Sequence, residues 1–449
     1  MKKIYIIYSL ICVFLVWKAP KIYDRQYCIF QAILYLIIVI PFLYKEYKAL
    51  GVVNFNTFFI LAFFCINYLH AAFVFPDDAF LPAFAFAYNS NIIPKAVSLA
   101  SFGFSFYLLG FQVVNEKLVS LRNGISQKQV RLLEKLSLFS SLGVFFYVLV
   151  FVRGGLVHLY PRLMVLLVAV IILSLTYKTL FLYNAHEQRL GLNVFIKKNK
   201  YNIASIFLFV LAQFVIGSRA EILFVGLPLL YIIHTYYQKI PIKLLLPIGA
   251  VAVIAMAIVM ITRVSATNLN NASVSDVINV GWYSLTEGEG PILWMMLTDF
   301  LVCARTLYES VEYVARYGLI YGQSYVPYAF GIIPGLGVIA TQLLLGKTTT
   351  DVDSGTILTG YSDASYGLGT NMIADMYLNC GTIGIPILMF LFGLVVKYSR
   401  SKSNKLSLFL RLALIATALY IPRASVFAFT DIVIMLFYVD FLTGFTIRK

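Results

Sequence analysis

Long apolar segments recur along almost the whole chain, and they constrain its fold more than any other feature. A helix that crosses a bilayer needs roughly 20 consecutive apolar residues. Hydrophobic residues make up 61% of the chain and charged residues only 12%, against about 25% charged residues in a soluble domain. The sequence therefore predicts an all-α polytopic integral membrane protein with about twelve transmembrane helices, and it excludes a soluble domain, a disordered chain and a fibre. The twelve segments are 4–17, 27–44, 55–75, 94–114, 136–152, 163–183, 202–216, 221–238, 243–262, 380–396, 406–421 and 425–443.

The first segment is short and follows two lysines, so a cleaved signal peptide is the alternative interpretation. The residues Trp17-Lys18-Ala19-Pro20 lack the small-x-small pattern of a cleavage site. We therefore expect a membrane helix over 4–17.

The distribution of charged residues predicts how these segments are oriented. With the N-terminus in the cytoplasm, the inner side holds 23 Lys and Arg against 5 Asp and Glu, whereas the outer side holds 12 against 15. An excess of basic residues on the cytoplasmic side is what the positive-inside rule expects. An even number of spans then places both termini in the cytoplasm. The net charge of +15 is mostly an insertion signal and needs no nucleic-acid partner.

The two sides also differ in which basic residue they use. The inner side has 17 Lys and 6 Arg, whereas the outer side has 4 Lys and 8 Arg. A guanidinium group presents a planar fork that binds phosphate or carboxylate with two hydrogen bonds. Drift and surface ion pairs are the alternative explanation. The bias favours an anionic ligand on the outer side.

The sequence contains no motif that indicates a metal or a cofactor. Its five cysteines are scattered and show no CxxC or Cys/His spacing. Asp351-Val352-Asp353 resembles a DxD motif of nucleotide-sugar enzymes, but it lies on the outer side, where no nucleotide sugar is present. No P-loop and no H-E-x-x-H occurs. We expect neither metal nor cofactor.

One outer connection, residues 263–379, is too long for a plain loop. It divides the chain into 1–262 with nine membrane helices, the long loop 263–379, and 380–449 with three more. Within the loop, the apolar stretch 319–346 is broken by Pro and Gly, which predicts a re-entrant or interfacial segment.

The same loop contains an amphipathic pattern over 299–317, which predicts a helix that Thr298 caps and Gly318 ends. Four charged residues share one face of this helix. We expect them to form a solvated salt-bridge surface worth about 0.3–0.5 kcal/mol per pair. They are Arg305, Glu309, Glu312 and Arg316.

Arg219 is the strongest candidate for ligand binding. It lies in Gly217-Ser218-Arg219-Ala220-Glu221, the polar break between two apolar segments. Such a tight connection places Arg219 at headgroup depth, where an arginine usually has a function. A pair with Glu221 or a snorkelling anchor is the alternative.

Other outer residues are weaker candidates. Arg153 and Arg162 bracket a short outer loop that contains His158, a residue able to act as a base. Arg263 ends the ninth segment, where an interfacial anchor is the alternative. Arg423 occupies another tight outer turn, with a structural pair to Asp431 as the alternative.

Short motifs around these residues resemble those of the O-antigen polymerases, which polymerise oligosaccharide repeat units. Residues 367–384 (GLGTNMIADMYLNCGTIG) are similar to the family's signature after its long loop, where an acidic residue, an aromatic and an Asn precede a G-x-x-G helix start. Gly217-Ser218-Arg219 is similar to the family's G-S-R turn. Residues 321–325, followed by Pro334, are similar to the family's G-x-S…P pattern. Asp375 stands where Glu is common. Gly335 stands where an Arg often follows the proline, so no role for that Arg is carried over.

The resemblance implies a lipid-sugar-dependent, GT-C-like glycosyltransferase of the bacterial inner membrane, with 263–379 as a periplasmic loop. The growing glycan would pass from undecaprenyl diphosphate to the non-reducing end of a new undecaprenyl-diphosphate-linked repeat unit. Asp375 or Glu221 would be the catalytic base, and arginines would stabilise the departing diphosphate without a metal. Membrane lipid and a chain-length regulator are possible partners. The expected substrate-binding residues are Arg219, Arg153, Arg162, Arg263, Arg423 and His158.

Two other activities stay open at this point. An O-antigen ligase shares the fold and the long outer loop. A lipid-linked oligosaccharide flippase also has about twelve helices, but it should show paired internal repeats and deep central charges, and no repeat is visible here.

Overall fold

The computed structural model describes residues 2–75, 89–114, 125–151, 161–186, 189–245, 247, 249–250, 292–363, 367–401 and 404–448. These residues form helices and turns, and no strand occurs among them. The all-α class is therefore confirmed for this part of the chain.

The helices follow the apolar pattern of the sequence. Two π-helical segments, Cys65–Val74 and Ile233–Tyr237, each directly continue an α-helix. The α-helices are α1 (Lys2–Trp17), α2 (Arg25–Leu50), α3 (Phe55–Phe64), α4 (Ile93–Val113), α5 (Gln127–Phe151), α6 (Pro161–His186), α7 (Leu192–Lys198), α8 (Lys200–Ile216), α9 (Ala220–Ile232), α10 (Ile292–Tyr317), α11 (Val326–Ala329), α12 (Leu336–Leu345), α13 (Ser354–Tyr361), α14 (Met372–Ser401), α15 (Lys405–Ala416) and α16 (Thr430–Arg448).

Within the described ranges, seven helices are long and apolar enough to cross a membrane. An eighth is added if α7 and α8, which are bent by 80° at their junction, count as one span. The polytopic membrane class follows from these helices, and the number of twelve spans stays a prediction. The seven are Arg25–Leu50, Phe55–Val74, Ser90–Val113, Gln127–Val150, Arg162–Ala185, Ala220–Tyr237 and Met372–Arg400.

Some expected spans have different bounds in the structure. The helix over segment 4–17 has 16 residues. In segment 406–421 the helix ends at Ala416 and turns follow, with Pro422 unable to continue a helix because it lacks an N–H. Segment 243–262 lies mostly outside the described residues.

The chain forms two compact units. The first comprises Met1–Ala49, Phe55–Val119 and Leu297–Thr430, and the second comprises Leu50–Asn54, Ser120–Met296 and Asp431–Lys449. Of the described residues in 263–379, residues 292–296 therefore belong to the second unit and those from Leu297 onward to the first.

Helices α4 and α14 pack closely in the first unit because glycines lie at their contact. A Cβ atom on Gly110 would lie 2.0 Å from the carbonyl oxygen of Phe390, and one on Gly393 would lie 2.3 Å from that of Tyr107. No larger residue fits at either position. Small residues at helix contacts are a main source of packing between membrane helices.

Helix α14 is broken at Gly381, which has φ 64° and ψ −163°. This backbone conformation is essentially restricted to glycine. The break deprives the Leu378 carbonyl of its helical donor, and the backbone N–H of Ile320 donates to that carbonyl at 2.9 Å instead. The half-helix Met372–Cys380 is thereby fixed to the segment that precedes α11.

The π-helical turn Cys65–Val74 faces the interior of the first unit with polar side chains. Asn67 Oδ1 accepts a hydrogen bond from Asn371 Nδ2 at 3.0 Å, and His70 Nδ1 lies 3.2 Å from the hydroxyl of Tyr308. Turns of this kind occur frequently at functional sites. Here the turn connects the third membrane segment to α10 and to the start of α14.

The amphipathic helix differs from its sequence prediction in two respects. It begins at Ile292, so Thr298 lies inside it rather than at its cap, whereas Gly318 does end it, with φ 83°. The predicted solvated face is wrong for two of its residues, because Arg305 is 0% and Glu309 3% exposed. Arg305 Nε donates to Glu309 Oε1 at 2.5 Å, which makes a buried ion pair.

Hydrogen bonds between side chains connect the helices of the second unit. The Asp440 carboxylate of α16 accepts from Gln129 Nε2 at 3.1 Å and from the Tyr177 hydroxyl at 2.7 Å. The hydroxyls of Ser137 and Ser205 lie 2.6 Å apart between α5 and α8. Each of these buried polar groups has the partner that an apolar surrounding requires.

The charge distribution leads to a test of orientation. We expect a cysteine introduced at Thr349 to react with an impermeant maleimide in intact spheroplasts, and one at Ser126 to react only after permeabilisation. The parent protein should carry Cys380→Ser, because Cys380 is exposed. The reverse labelling pattern would overturn the proposed orientation.

Candidate active site

Asp375 lies in the first turns of α14, and Asn371 determines where that helix begins. Asn371 Oδ1 accepts hydrogen bonds from the backbone N–H groups of Ile373 and Ala374, at 2.8 and 3.4 Å, which is the geometry of an N-cap. The Asn371 amide donates in turn to Asn67 and to the Cys303 carbonyl. These bonds from two other segments fix the position of Asp375 before any ligand binds.

The Asp375 carboxylate is fully buried, and one of its oxygens has two donors. Ser324 Oγ donates to Oδ1 at 3.0 Å and Asn379 Nδ2 donates to it at 3.2 Å. Asn379 Nδ2 also lies 2.7 Å from Ser324 Oγ. The three side chains therefore form one connected group, which joins the segment before α11 to the half-helix Met372–Cys380.

Three buried polar atoms in this group have no hydrogen bond of good geometry among the described residues: Asp375 Oδ2, Asn379 Oδ1 and the Tyr325 hydroxyl. The Tyr325 hydroxyl nevertheless interacts with the side chains of Asn379 and Asp375. The hydroxyls of Ser354 and Ser425 also interact with the Asp375 carboxylate. An unpaired buried polar group costs about 1–3 kcal/mol. Three of them in one place indicate a site that a polar ligand completes.

Tyr325, which directly follows Ser324 in the chain, borders this group. Its ring lies against Phe427 with centroids 5.0 Å apart and planes at 78°. Burial, and then the neighbouring Asp375 carboxylate, raise the pKa of the Tyr325 phenol well above its usual value. The phenol therefore stays protonated and can donate a hydrogen bond.

The arrangement is suited to accept a proton from a ligand hydroxyl. Two donors hold Oδ1 of Asp375, so its orientation is fixed and Oδ2 is left for the incoming proton. A fixed carboxylate with one unused oxygen is the geometry that general-base catalysis requires.

Arg423 lies in the same unit as Asp375. It ends the turn Ile421–Arg423, two residues before Ser425, whose hydroxyl faces the Asp375 carboxylate. Its guanidinium lies 6.0 Å from the ring centroid of Tyr420. Among the predicted arginines in the described residues, Arg423 is two residues from Ser425, which interacts with the Asp375 carboxylate.

Arg219 and Glu221 lie in the second unit, in the turn between α8 and α9. Gly217 ends α8 in the left-handed conformation, with φ 77°, and Arg219 precedes the first residue of α9. The Glu221 carboxylate accepts a hydrogen bond from the Ser218 hydroxyl. Glu221 thus stabilises the start of a helix, as a carboxylate in a first turn does.

Arg162 is exposed near the start of α6, where its charge lies close to the Asp431 carboxylate in the second unit. Arg153, His158 and Arg263 lie outside the described residues.

Five site residues went unpredicted: Ser324, Tyr325, Ser354, Asn379 and Ser425. Asn379 and Ser324 were inside the recognised motifs, but their spacing from Asp375 gave no sign of a shared hydrogen-bond group. Ser354 and Ser425 belong to distant segments, and no sequence signal connects them to Asp375.

No family model matches the chain, and comparison with the curated proteins and with the solved structures finds no match to it. In the described part of the chain, no group of three or more His, Cys, Asp and Glu side chains is placed to hold a metal ion. A functional assignment therefore depends on the geometry around Asp375.

Proposed function

We propose that the chain is an integral membrane glycosyltransferase that polymerises lipid-linked oligosaccharide repeat units, as the O-antigen polymerases do. The observation that carries the proposal is the buried Asp375 carboxylate, which Ser324 and Asn379 hold through Oδ1 while no hydrogen bond of good geometry reaches Oδ2 from the described residues. This group lies at the start of a broken membrane helix, and broken helices form binding sites in membrane proteins.

The proposed reaction uses Asp375 as the base. Oδ2 takes the proton of the acceptor hydroxyl, at the non-reducing end of the incoming repeat unit. The acceptor oxygen bonds to the anomeric carbon of the growing chain, and the bond from that carbon to the diphosphate oxygen breaks. The electron pair of this bond leaves with undecaprenyl diphosphate. Atoms and charges balance without a further reagent.

The departing diphosphate needs cationic stabilisation, and guanidinium groups provide it with paired hydrogen bonds. Arg423 is the best supported candidate, because Ser425, two residues further on, faces Asp375. Arg219 and Arg162 are candidates in the second unit. We propose the bacterial inner membrane as the location and a chain-length regulator as a protein partner.

A gene deletion followed by gel analysis of the surface glycan tests the proposal. Loss of a polymerase leaves the lipid core with a single repeat unit. Loss of a ligase, the alternative activity, leaves the bare core, because no repeat unit is transferred to it. Loss of a flippase abolishes the surface glycan. Only the first pattern agrees with the proposal.

Arg219 allows a more specific test. We expect Arg219→Ala to reduce polymerisation at least about tenfold, and Arg219→Lys to reduce it less but clearly, because lysine keeps the charge and loses the two-pronged hydrogen bonding. Glycan ladder length and the amount of inserted protein should be measured together.

Arg316→Lys is the matched control for Arg219. Arg316 is exposed at the end of α10, beside the ring of Tyr317, and the substitution should leave the ladder unchanged. A full-length ladder from Arg219→Ala would remove Arg219 from the site and leave Arg423 as the candidate.

A further inference from the structure

An apolar hairpin, residues 326–345, projects from the first unit directly after the active-site residues Ser324 and Tyr325. From 318 to 346 the sequence contains no charged residue. The hairpin consists of the short helix α11, a turn and helix α12. A Cβ on Gly337 would lie 2.5 Å from the Pro327 carbonyl oxygen, so glycine allows the two arms to pack closely.

The hairpin exposes large apolar side chains on its turn and along α12. Their exposed fractions range from 39% at Phe330 to 79% at Leu343. On the opposite side of α12, Gly337, Ala340 and Thr341 are buried. So large an apolar surface is normally covered by another molecule. The exposed side chains are Phe330, Ile332, Ile333, Val338, Ile339, Leu343 and Leu344.

The base of the hairpin is polar and aromatic. Lys347 Nζ donates to Gln323 Oε1 at 2.9 Å and joins its two ends, and the exposed Tyr321 lies beside them. Lysine and tyrosine with apolar residues beyond them are typical of a segment at a membrane interface.

The hairpin is also continuous with a membrane-spanning helix. Ile320 donates to the Leu378 carbonyl of α14, and Leu319 lies beside Gly381. Directly after this break, Ile383 and Ile387 are exposed on the span Met372–Arg400. Helix α12 has 10 residues and is about 15 Å long, half of the roughly 30 Å that a crossing requires.

We propose that the hairpin 326–345 inserts into one leaflet of the bilayer without crossing it, with its exposed apolar side chains against the lipid acyl chains. The occupant of this surface is therefore membrane lipid. Because Ser324 and Tyr325 begin the hairpin, its insertion holds the Asp375 group near the depth of the lipid headgroups. The proposal does not depend on the reaction that the site performs.

Fluorescence quenching in nanodiscs tests this insertion. In a variant with all five cysteines replaced, the dye NBD is attached to a cysteine at Leu343 or, as a control, at Thr350, which is exposed beyond the polar base. We expect the Leu343 probe to emit at shorter wavelength and to be quenched at least twofold by lipids with a nitroxide on the acyl chain. Iodide in the buffer should quench only the Thr350 probe.

Two outcomes would overturn the proposal. Quenching at Leu343 by iodide alone would place the hairpin in water. Quenching by neither reagent would place this surface against protein, such as a second copy of the chain. If the cysteine-free variant does not fold, Leu343→Trp in the native chain replaces it. The measurement is then the tryptophan fluorescence that this variant adds to the native signal, and we expect brominated lipids to quench it.

Discussion

Asp375→Asn is expected to lower the rate of polymerisation by a factor of about 10²–10⁴, the usual contribution of a general base. The substitution keeps the shape of the side chain and an oxygen that can accept from Ser324 and Asn379. It removes the ability of the second oxygen to take a proton. The protein should therefore insert and unfold as the native chain does, while purified enzyme with lipid-linked repeat units forms almost no polymer.

Asp351→Asn is the matched control. Asp351 lies fully exposed in the loop before α13, where hydrogen bonds from Thr348 lower the pKa of its carboxyl. Its substitution should leave the polymerisation rate within about twofold, since surface changes of this kind have small effects. Native activity in Asp375→Asn would show that Asp375 is structural and that the base lies elsewhere.

Arg305→Met is expected to reduce the free energy of unfolding by about 3–5 kcal/mol, the usual cost of removing one member of a buried ion pair. The substitution leaves Glu309 buried, with Oε2 already without a hydrogen-bond partner among the described residues. Burial raises the pKa of the Glu309 carboxyl, against the opposing influence of Ser362 and Arg305. Loss of Arg305 removes part of what keeps the carboxylate charged. Unfolding followed in detergent measures the change.

Two further variants separate charge from packing. Arg305→Met combined with Glu309→Leu removes both charges and should recover most of the lost stability, because buried ion pairs can be replaced by apolar groups of similar volume. Arg316→Ala, on the exposed end of the same helix, should change the free energy of unfolding by less than about 0.5 kcal/mol. Equal effects at Arg305 and Arg316 would contradict the burial of the pair.

The sequence predicted the helical membrane class correctly because apolar segments of sufficient length have few other structures available. It also singled out Asp375, which the structure buries in a group of polar side chains, while the interfacial character of 319–346 stays a prediction. Both features depend on local composition, which a single sequence contains.

The sequence could not predict features that depend on contacts between distant segments. The pattern of α10 placed Arg305 and Glu309 on one face, but no periodicity tells whether water or protein covers that face. The segment predicted over 380–396 gave no sign that its helix would continue a shorter one from Met372 with a break at Gly381. The sequence could not predict the Asp375 group for the same reason, since Ser324, Ser354 and Ser425 come from three different segments.

The Leu378 carbonyl of α14 accepts its hydrogen bond from the backbone N–H of Ile320. This contact between distant segments has a consequence for biogenesis. Ribosomes translate Ile320 and Ser324 before they reach Asp375 and Leu378 in α14, and Ser425 follows later still. Until then Ile320 lacks its acceptor and Ser324 lacks the carboxylate it bonds. The site is thus assembled late, when the last part of the chain enters the membrane. A nascent protein that stalls before α14 can insert its earlier helices and still lack the Asp375 group.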